Sequence, residues 1–129
     1  MKLGYMIVYV PDVAATVEFY ERAFGLTRRF VHESGQYAEM ETGATALAFA
    51  AEDLVSATCS GFRLNRLDAD AAGAEVGLVT DDVAASFARA TEAGAVAVLA
   101  PTRKPWGQTV SYVRDCNGFR VEICSAVGV

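Results

Sequence analysis

Two glutamates, Glu75 and Glu122, are the residues of this chain best suited by side chain and sequence context to act in catalysis or ligand binding. Glu75 precedes Val76 in a short apolar run, and Glu122 stands between two apolar residues of another. If both runs are strands, alternation directs each carboxylate to the face opposite its apolar neighbours. A carboxylate on such a face can act as a general acid or base, or it can bind a cationic group.

Trp106 is the single tryptophan, and it lies in the run Lys104-Pro105-Trp106-Gly107-Gln108. Proline and glycine favour a turn here, so we expect the indole at the surface, where it offers a flat stacking face and one hydrogen-bond donor. We predict that Trp106 covers the mouth of a ligand pocket and that Gln108 offers its amide to the same ligand. Packing of Trp106 against a dimer partner or against the chain's own strands is the alternative.

Other chemistries find little support in the sequence. There is no G-x-S-x-G, Walker A or G-x-G-x-x-G motif, and the single histidine, His32, has no nucleophile and orienting acid at a recognisable spacing. Cys59, Cys116 and Cys124 are odd in number and form no C-x-x-C pair, so neither a disulfide framework nor a cysteine zinc site is indicated. We expect His32 on a partly exposed strand, and it is the first residue to check if a metal binds.

Composition indicates one soluble, cytoplasmic domain. The chain has 129 residues, of which 53% are hydrophobic, and no apolar run approaches the roughly 18 residues that span a bilayer. The N-terminus lacks the layout of a signal peptide. The net charge is −5 and the basic residues are scattered, so we expect neither nucleic acid nor a membrane as a partner.

The chain contains an internal repeat. Asp12-Val13-Ala14-Ala15 recurs as Asp82-Val83-Ala84-Ala85, and around each copy a strand-like run, a helix-like run and a glycine follow in the same order. The two glycines, Gly25 and Gly94, are placed to end the helices, and Asp12 and Asp82 are candidate N-caps.

The repeat predicts an α+β fold of two tandem βαβββ modules in a single domain. Module one spans residues 1–51 and module two spans residues 74–129, with strands expected at 5–10, 28–32, 36–40, 45–50, 75–79, 95–99, 108–114 and 119–124. Residues 52–73 show no sustained period, and we interpret them as the linker.

Two segments carry a resemblance to a known family. They are Val10-Pro11-Asp12-Val13, followed by Phe19-Tyr20 and Phe24-Gly25-Leu26, and the closing run from Tyr112 to Glu122, in which Asp115-Cys116-Asn117-Gly118 stands where the family has D-P-D-G. The chain thereby resembles the vicinal oxygen chelate superfamily, which includes glyoxalase I, extradiol dioxygenases, fosfomycin-modifying enzymes and bleomycin-binding resistance proteins. The resemblance covers essentially the whole chain.

The resemblance implies a curved mixed sheet that forms a cup able to hold one divalent metal. Its four ligand positions fall on Tyr5, Ala48, Glu75 and Glu122, of which only the two glutamates are good hard-metal ligands. We therefore expect no tightly bound metal or other cofactor, although weak binding of a divalent metal stays an open alternative. Tyr5 is then a pocket-wall aromatic rather than a ligand.

Further walls of the cup are expected from Tyr37 and Phe49. Glu75 and Glu122 would face one another and raise each other's pKa, with Glu122 the candidate catalytic base. In the alternative, each acid is solvent-exposed or paired with Arg63, Arg114 or Arg120.

Two functions follow from this sequence. The first is a glyoxalase/bleomycin-resistance-type protein that binds a small aromatic or cationic molecule in an acidic cup. The second is a vicinal oxygen chelate enzyme, a lyase, isomerase or dioxygenase, that uses Glu122 as a base or as a weak metal ligand. A structural subunit with an occluded cup is a third interpretation. A homodimer is expected in each case, because an isologous interface covers exposed sheet edges.

Overall fold

A computed structural model describes residues 1–128 of the chain, which form two compact units. The first unit is Met1–Asn65, and the second begins at Arg66. The first unit contains β1 (Tyr5–Val10), α1 (Val13–Phe24), β2 (Thr27–Val31), β3 (Tyr37–Glu41), β4 (Ala46–Ala51) and α2 (Glu52–Thr58). Its sheet has the order β1-β4-β3-β2, in which β1 and β4 are parallel and the other pairs antiparallel.

The second unit repeats this plan without the last helix. It contains β5 (Glu75–Val79), α3 (Val83–Glu92), β6 (Val96–Arg103), β7 (Thr109–Arg114) and β8 (Arg120–Cys124). The sheet order is β5-β8-β7-β6, again with one parallel pair, β5 with β8. The predicted α+β fold of two tandem βαβββ modules is confirmed.

The repeated tetrapeptide is the start of a helix in both units. The Asp12 carboxylate accepts a hydrogen bond from the Ala15 backbone N–H at 3.0 Å, and Asp82 does the same for Ala85 at 3.0 Å. Each aspartate thus satisfies one of the free N–H groups of the first helical turn. The first helix ends at Gly25, whose φ of 67° is the left-handed conformation that glycine adopts readily.

Each sheet buries one face against its own helix. In the first unit, Val8, Val10 and Phe49 are buried on that face, and Phe49 contacts Tyr20 of α1 with ring centroids 4.8 Å apart. In the second unit, Val121 and Ile123 of β8 are buried in the same way. Because side chains alternate along a strand, the residues between these project from the opposite face, called here the open face.

Two local predictions were wrong. The segment interpreted as an irregular linker contains the helix α2, and its pattern was uninformative because Glu52 is its one buried residue. Its acidic first turn, Glu52 and Asp53, favours a helix start.

Strand β6 runs to Arg103 rather than to Leu99, and Pro101 is tolerated inside it because β6 is an edge strand. Among the helices described in residues 1–128, none has the length and apolar character to cross a membrane.

Arg114 attaches the start of the second unit to its own sheet. The guanidinium donates to the backbone carbonyls of Arg66 at 3.1 Å, Ala69 at 2.6 Å and Gly118 at 2.9 Å. Gly118, in the turn between β7 and β8, leaves room for this contact. A Cβ atom there would lie 2.5 Å from the Arg66 carbonyl oxygen and 2.7 Å from an Arg114 nitrogen.

The close approach at Gly118 predicts a steric effect that a matched glycine lacks. Gly107 has nearly the same backbone φ, 92° against 90°, but its nearest atom to an added Cβ is 3.9 Å away. We expect Gly118→Ala to lower the free energy of unfolding by about 2 kcal/mol more than Gly107→Ala, because only the first must displace neighbours. Urea denaturation of both variants measures the difference, and equal losses would contradict this account.

Candidate functional site

Glu75, Glu122 and Tyr112 lie on the open face of the second sheet. Tyr112 of β7 is the register partner of Glu122 on β8, and on the other side Glu122 is paired with Gly77 of β5. Glu75 is two residues before Gly77 and therefore shares its face. Gly77 adds no side chain between the two acids. The strand pattern predicted from sequence thus brings Glu75 and Glu122 to the same face.

The two carboxyl groups interact directly. Burial raises the pKa of Glu75, and the charge of Glu122 and a hydrogen bond with it raise that pKa further. Two carboxylates that share a hydrogen bond favour a state in which one of them carries the proton. Glu75 therefore holds a proton to higher pH than an isolated glutamate does.

Tyr112 and Cys124 surround Glu122. Hydrogen bonding to Glu122, together with burial, raises the pKa of Tyr112 to about 12. Burial and the same carboxylate raise the pKa of the Cys124 thiol to about 11. Both groups are therefore neutral near pH 7. The Cys124 thiol donates to the Leu78 carbonyl at 3.8 Å, whereas the Tyr112 hydroxyl can donate to Glu122. The arrangement can bind a cation through its negative charge. It can also provide a carboxylate as a general base with a general acid beside it.

Trp106 is held by Gln108. The indole Nε1–H donates to Gln108 Oε1 at 2.9 Å, and Gln108 Nε2 donates to the Ser125 carbonyl at 3.0 Å. Gln108 is 9% exposed, whereas Trp106 is 59% exposed. Both ends of the Gln108 amide bind protein groups, and the prediction that Gln108 offers its amide to a ligand stays a prediction that can use only the second Nε2–H. The indole N–H is likewise occupied, so Trp106 presents an aromatic face.

The neighbouring arginines do not neutralise the acids through ion pairs. Arg114 donates to backbone carbonyls, and the Arg120 guanidinium lies over the Tyr112 ring, 5.7 Å from its centroid. Within residues 1–128, neither arginine forms an ion pair with Glu75 or Glu122. The alternative of acids paired with Arg114 or Arg120 thus has no ion pair behind it, whereas the alternative of a solvent-exposed acid describes Glu75, which is exposed, better than Glu122, which is half-buried.

The first unit has its own acid–tyrosine pair. The Tyr37 hydroxyl donates to Glu39 at 2.8 Å, and Arg29 donates to the other oxygen of Glu39 at 3.1 Å. Burial and Glu39 raise the pKa of Tyr37 to about 12, with a smaller contribution from Tyr5. Tyr5 and Tyr37 share the open face of the first sheet, since their register partners Ala46 and Ala50 are four residues apart on β4; their role as pocket walls stays a prediction.

Sequence reasoning missed Glu39. It is the register partner of Ala48, the position where the resemblance implies a ligand, and it is buried. The alternation Tyr37-Ala38-Glu39 was visible and places Glu39 on the same face as Tyr37. Its partner Arg29 was not foreseeable, because β2 pairs with β3 through an irregular register.

Phe49 and His32 lie outside these clusters. Phe49, predicted as a pocket wall, is fully buried against Tyr20 on the helix-facing side, so that prediction is corrected. His32 follows β2 in an exposed turn, where its Nδ1 accepts from the Ser34 N–H at 3.1 Å. In the described part of the chain, no group of three or more His, Cys, Asp or Glu side chains is arranged to hold a metal ion.

Comparisons with known proteins identify the relatives of this chain. A model of the Glyoxalase/Bleomycin resistance protein/Dioxygenase superfamily matches residues 2–123. A search of curated proteins found no match.

Three solved structures illustrate the likeness in fold. A glyoxalase-related enzyme from Fulvimarina pelagi has a TM-score of 0.81 and 18% identity over 97% of this chain and 88% of its own. TioX from Micromonospora sp. ML1 has a TM-score of 0.77 and 22% identity, over 97% and 98%. A glyoxalase/bleomycin resistance protein/dioxygenase family enzyme from Burkholderia phytofirmans PsJN has a TM-score of 0.74 and 19% identity, over 97% and 98%.

Gln108 is predicted to immobilise the only tryptophan of the chain. Gln108→Leu removes the acceptor of the indole N–H, so we expect faster local motion of Trp106 and a lower fluorescence anisotropy at unchanged circular dichroism. Gln36→Leu, the same change in the other unit, serves as the control and should leave the anisotropy as it is. An indole as immobile in Gln108→Leu as in the wild type would contradict the proposed restraint.

Proposed function

Because the chain belongs to the Glyoxalase/Bleomycin resistance protein/Dioxygenase superfamily, we propose that it binds a small aromatic, cationic molecule. The proposed site is the open face of the second sheet, where Glu75 and Glu122 attract the cation and Trp106 stacks on the aromatic ring. It operates without a tightly bound catalytic metal.

The observation that carries the proposal is the placement of Glu75 and Glu122 on one face of the second sheet, where Glu122 raises the pKa of Glu75. Like charges held together on one face repel each other, so the pair is stabilised by a proton or by a cation. Beside Glu122, the neutral Tyr112 hydroxyl is a donor for its carboxylate. A ligand ammonium group placed between the two carboxylates would replace the shared proton.

Trp106 supports the aromatic part of the proposal. Its indole is largely exposed, yet it is fixed in place by Gln108. A flat side chain that is already immobilised loses little conformational entropy when a ring stacks on it. Since its N–H is occupied, the indole recognises the ring face of a ligand rather than a hydrogen-bond acceptor.

The donor set does not fit a tightly held divalent metal. Such a site needs at least three protein donors. The four positions implied by the family offer Tyr5, Ala48, Glu75 and Glu122, and a methyl group cannot ligate. Tyr5 is 56% exposed, and its phenol is a poorer ligand for a hard divalent metal than a carboxylate. Metal-dependent chemistry is therefore not assigned to this chain.

An enzyme of the same superfamily is the second candidate. The raised pKa of Glu75 beside Glu122 is the observation that favours it, because a carboxyl pair sharing a proton suits general acid–base catalysis. Glu122 would then be the base of a lyase, an isomerase or a dioxygenase. Two of the similar structures are described as enzymes.

Metal analysis and activity assays with added Ni, Zn, Mn, Fe or Co distinguish the two candidate functions. Stoichiometric metal or activity favours the enzyme.

A homodimer and a cytoplasmic location stay predictions. The dimer is supported by the edge strands β5 and β6, each of which has one side without a partner strand in its own sheet. Exposed edges of this kind are commonly covered by a second copy.

Phenethylamine, a phenyl ring bearing one ammonium group, is the probe for the proposed site. We expect Glu122→Gln to weaken its binding at least about 10-fold, because a carboxylate in contact with the ammonium is lost. Glu92→Gln removes the same charge from the exposed end of α3 and should change the affinity little. Isothermal titration calorimetry measures both, and equal affinities in the two variants would refute the assigned site.

Binding of phenethylamine is also expected to depend on pH. Since the pKa of Glu75 lies above its ordinary value of 4.5, the carboxyl becomes negative only at higher pH. The ammonium stays charged throughout this range, because its pKa is about 10. Affinity should therefore rise as pH increases above 4.5, and Glu75→Gln should flatten this rise. A pH-independent affinity in the wild type would count against a role for Glu75.

A further inference from the structure

We infer that Arg120 binds a carboxylate of the ligand, so that the site takes aromatic compounds carrying an amine and a carboxylate together. This inference rests on the proposed function and names the ligand class more narrowly. It makes Arg120 a specificity-determining residue next to the acids.

The guanidinium of Arg120 has donors that the protein does not use. Its Nε is buried and has no hydrogen-bond acceptor among the described residues. Its closest described interaction is with the face of the Tyr112 ring, which accepts no conventional hydrogen bond. A buried charged donor without an acceptor is rare in folded proteins, so the described residues leave this guanidinium incompletely satisfied.

Two other arginines in the chain have guanidinium donors that are hydrogen-bonded to protein acceptors. Arg29 binds Glu41 through two nitrogens at 2.8 and 2.9 Å, and it also contacts Glu39. Arg114, the register partner of Arg120 on β7, donates to several backbone carbonyls. Arg120 has no such set of acceptors within residues 1–128, so its two terminal nitrogens, which unlike Nε are not buried, are available to a carboxylate.

The position of Arg120 relative to the acids matches a ligand with both charges. Arg120 and Glu122 are two residues apart on β8 and share the open face, with Cα atoms about 7 Å apart. Glu75 is the register partner of Arg120. A ligand whose ammonium lies at Glu75 and Glu122 would thus hold a neighbouring carboxylate within reach of the guanidinium.

A purely structural role for Arg120 as a counter-ion is less consistent with these contacts. The charge of Arg120 does lower the pKa of Glu75, but burial and Glu122 outweigh it and no ion pair forms. Its stacking on Tyr112 orients the guanidinium without consuming its in-plane donors.

Three probes that differ only in charged groups test this inference: phenethylamine, phenylalanine and hydrocinnamate. Calorimetry is performed with the wild type, Arg120→Gln and Arg120→Lys, and urea denaturation shows whether each variant is folded. We expect the wild type to bind phenylalanine about 10-fold more tightly than phenethylamine, because a charge-assisted hydrogen bond is added. This ratio should fall to about one in Arg120→Gln and to an intermediate value in Arg120→Lys.

Each outcome decides between the inference and the function on which it rests. Phenylalanine that binds no more tightly than phenethylamine, or an advantage that survives in Arg120→Gln, overturns the role of Arg120 and leaves the cation site standing. Hydrocinnamate that binds through Arg120 while phenethylamine does not bind overturns the proposed function and supports Arg120 as a carboxylate site. Failure of all three probes to bind the wild type overturns both.

Discussion

The structure of the candidate site depends on one constraint: two carboxyl groups are held together on the same face of a small sheet. Glu75 and Glu122 reach this face because β5 and β8 are parallel neighbours in which apolar and polar residues alternate. Their proximity disfavours a double negative charge, and Tyr112 offers Glu122 a neutral donor. A shared proton or an external cation follows from this geometry, and both proposed functions derive from it.

The two units treat the acids on their open faces in different ways. In the first unit, Glu39 receives hydrogen bonds from Tyr37 and Arg29, so its charge is compensated inside the protein. In the second unit, the arginine closest in register, Arg120, stacks on Tyr112 instead of pairing with Glu75. The gene-duplicated plan is thus symmetric in its backbone and asymmetric in its charges. The uncompensated charges lie in the second unit, which is why the ligand is assigned there.

Much of the fold could be predicted from the sequence because the signals are local. Asp12 and Asp82 cap helices through their own side chains, and the alternation around Glu122 fixes its face. Phe49 was misplaced because β4 is apolar on both faces, so alternation cannot tell which side faces the helix. The partners of Gln108, Glu39 and Arg120 were beyond prediction, since they depend on how strands far apart in the chain are aligned.

The most direct test of this account is a carboxyl-carbon NMR titration of Glu75 in the wild type and in Glu122→Gln. The account predicts a pKa above the ordinary 4.5 in the wild type, and a lower pKa in the variant, because the charge and the hydrogen bond of Glu122 are lost while burial remains. An ordinary pKa for Glu75 in the wild type, or a raised pKa that does not respond to the loss of Glu122, would contradict it.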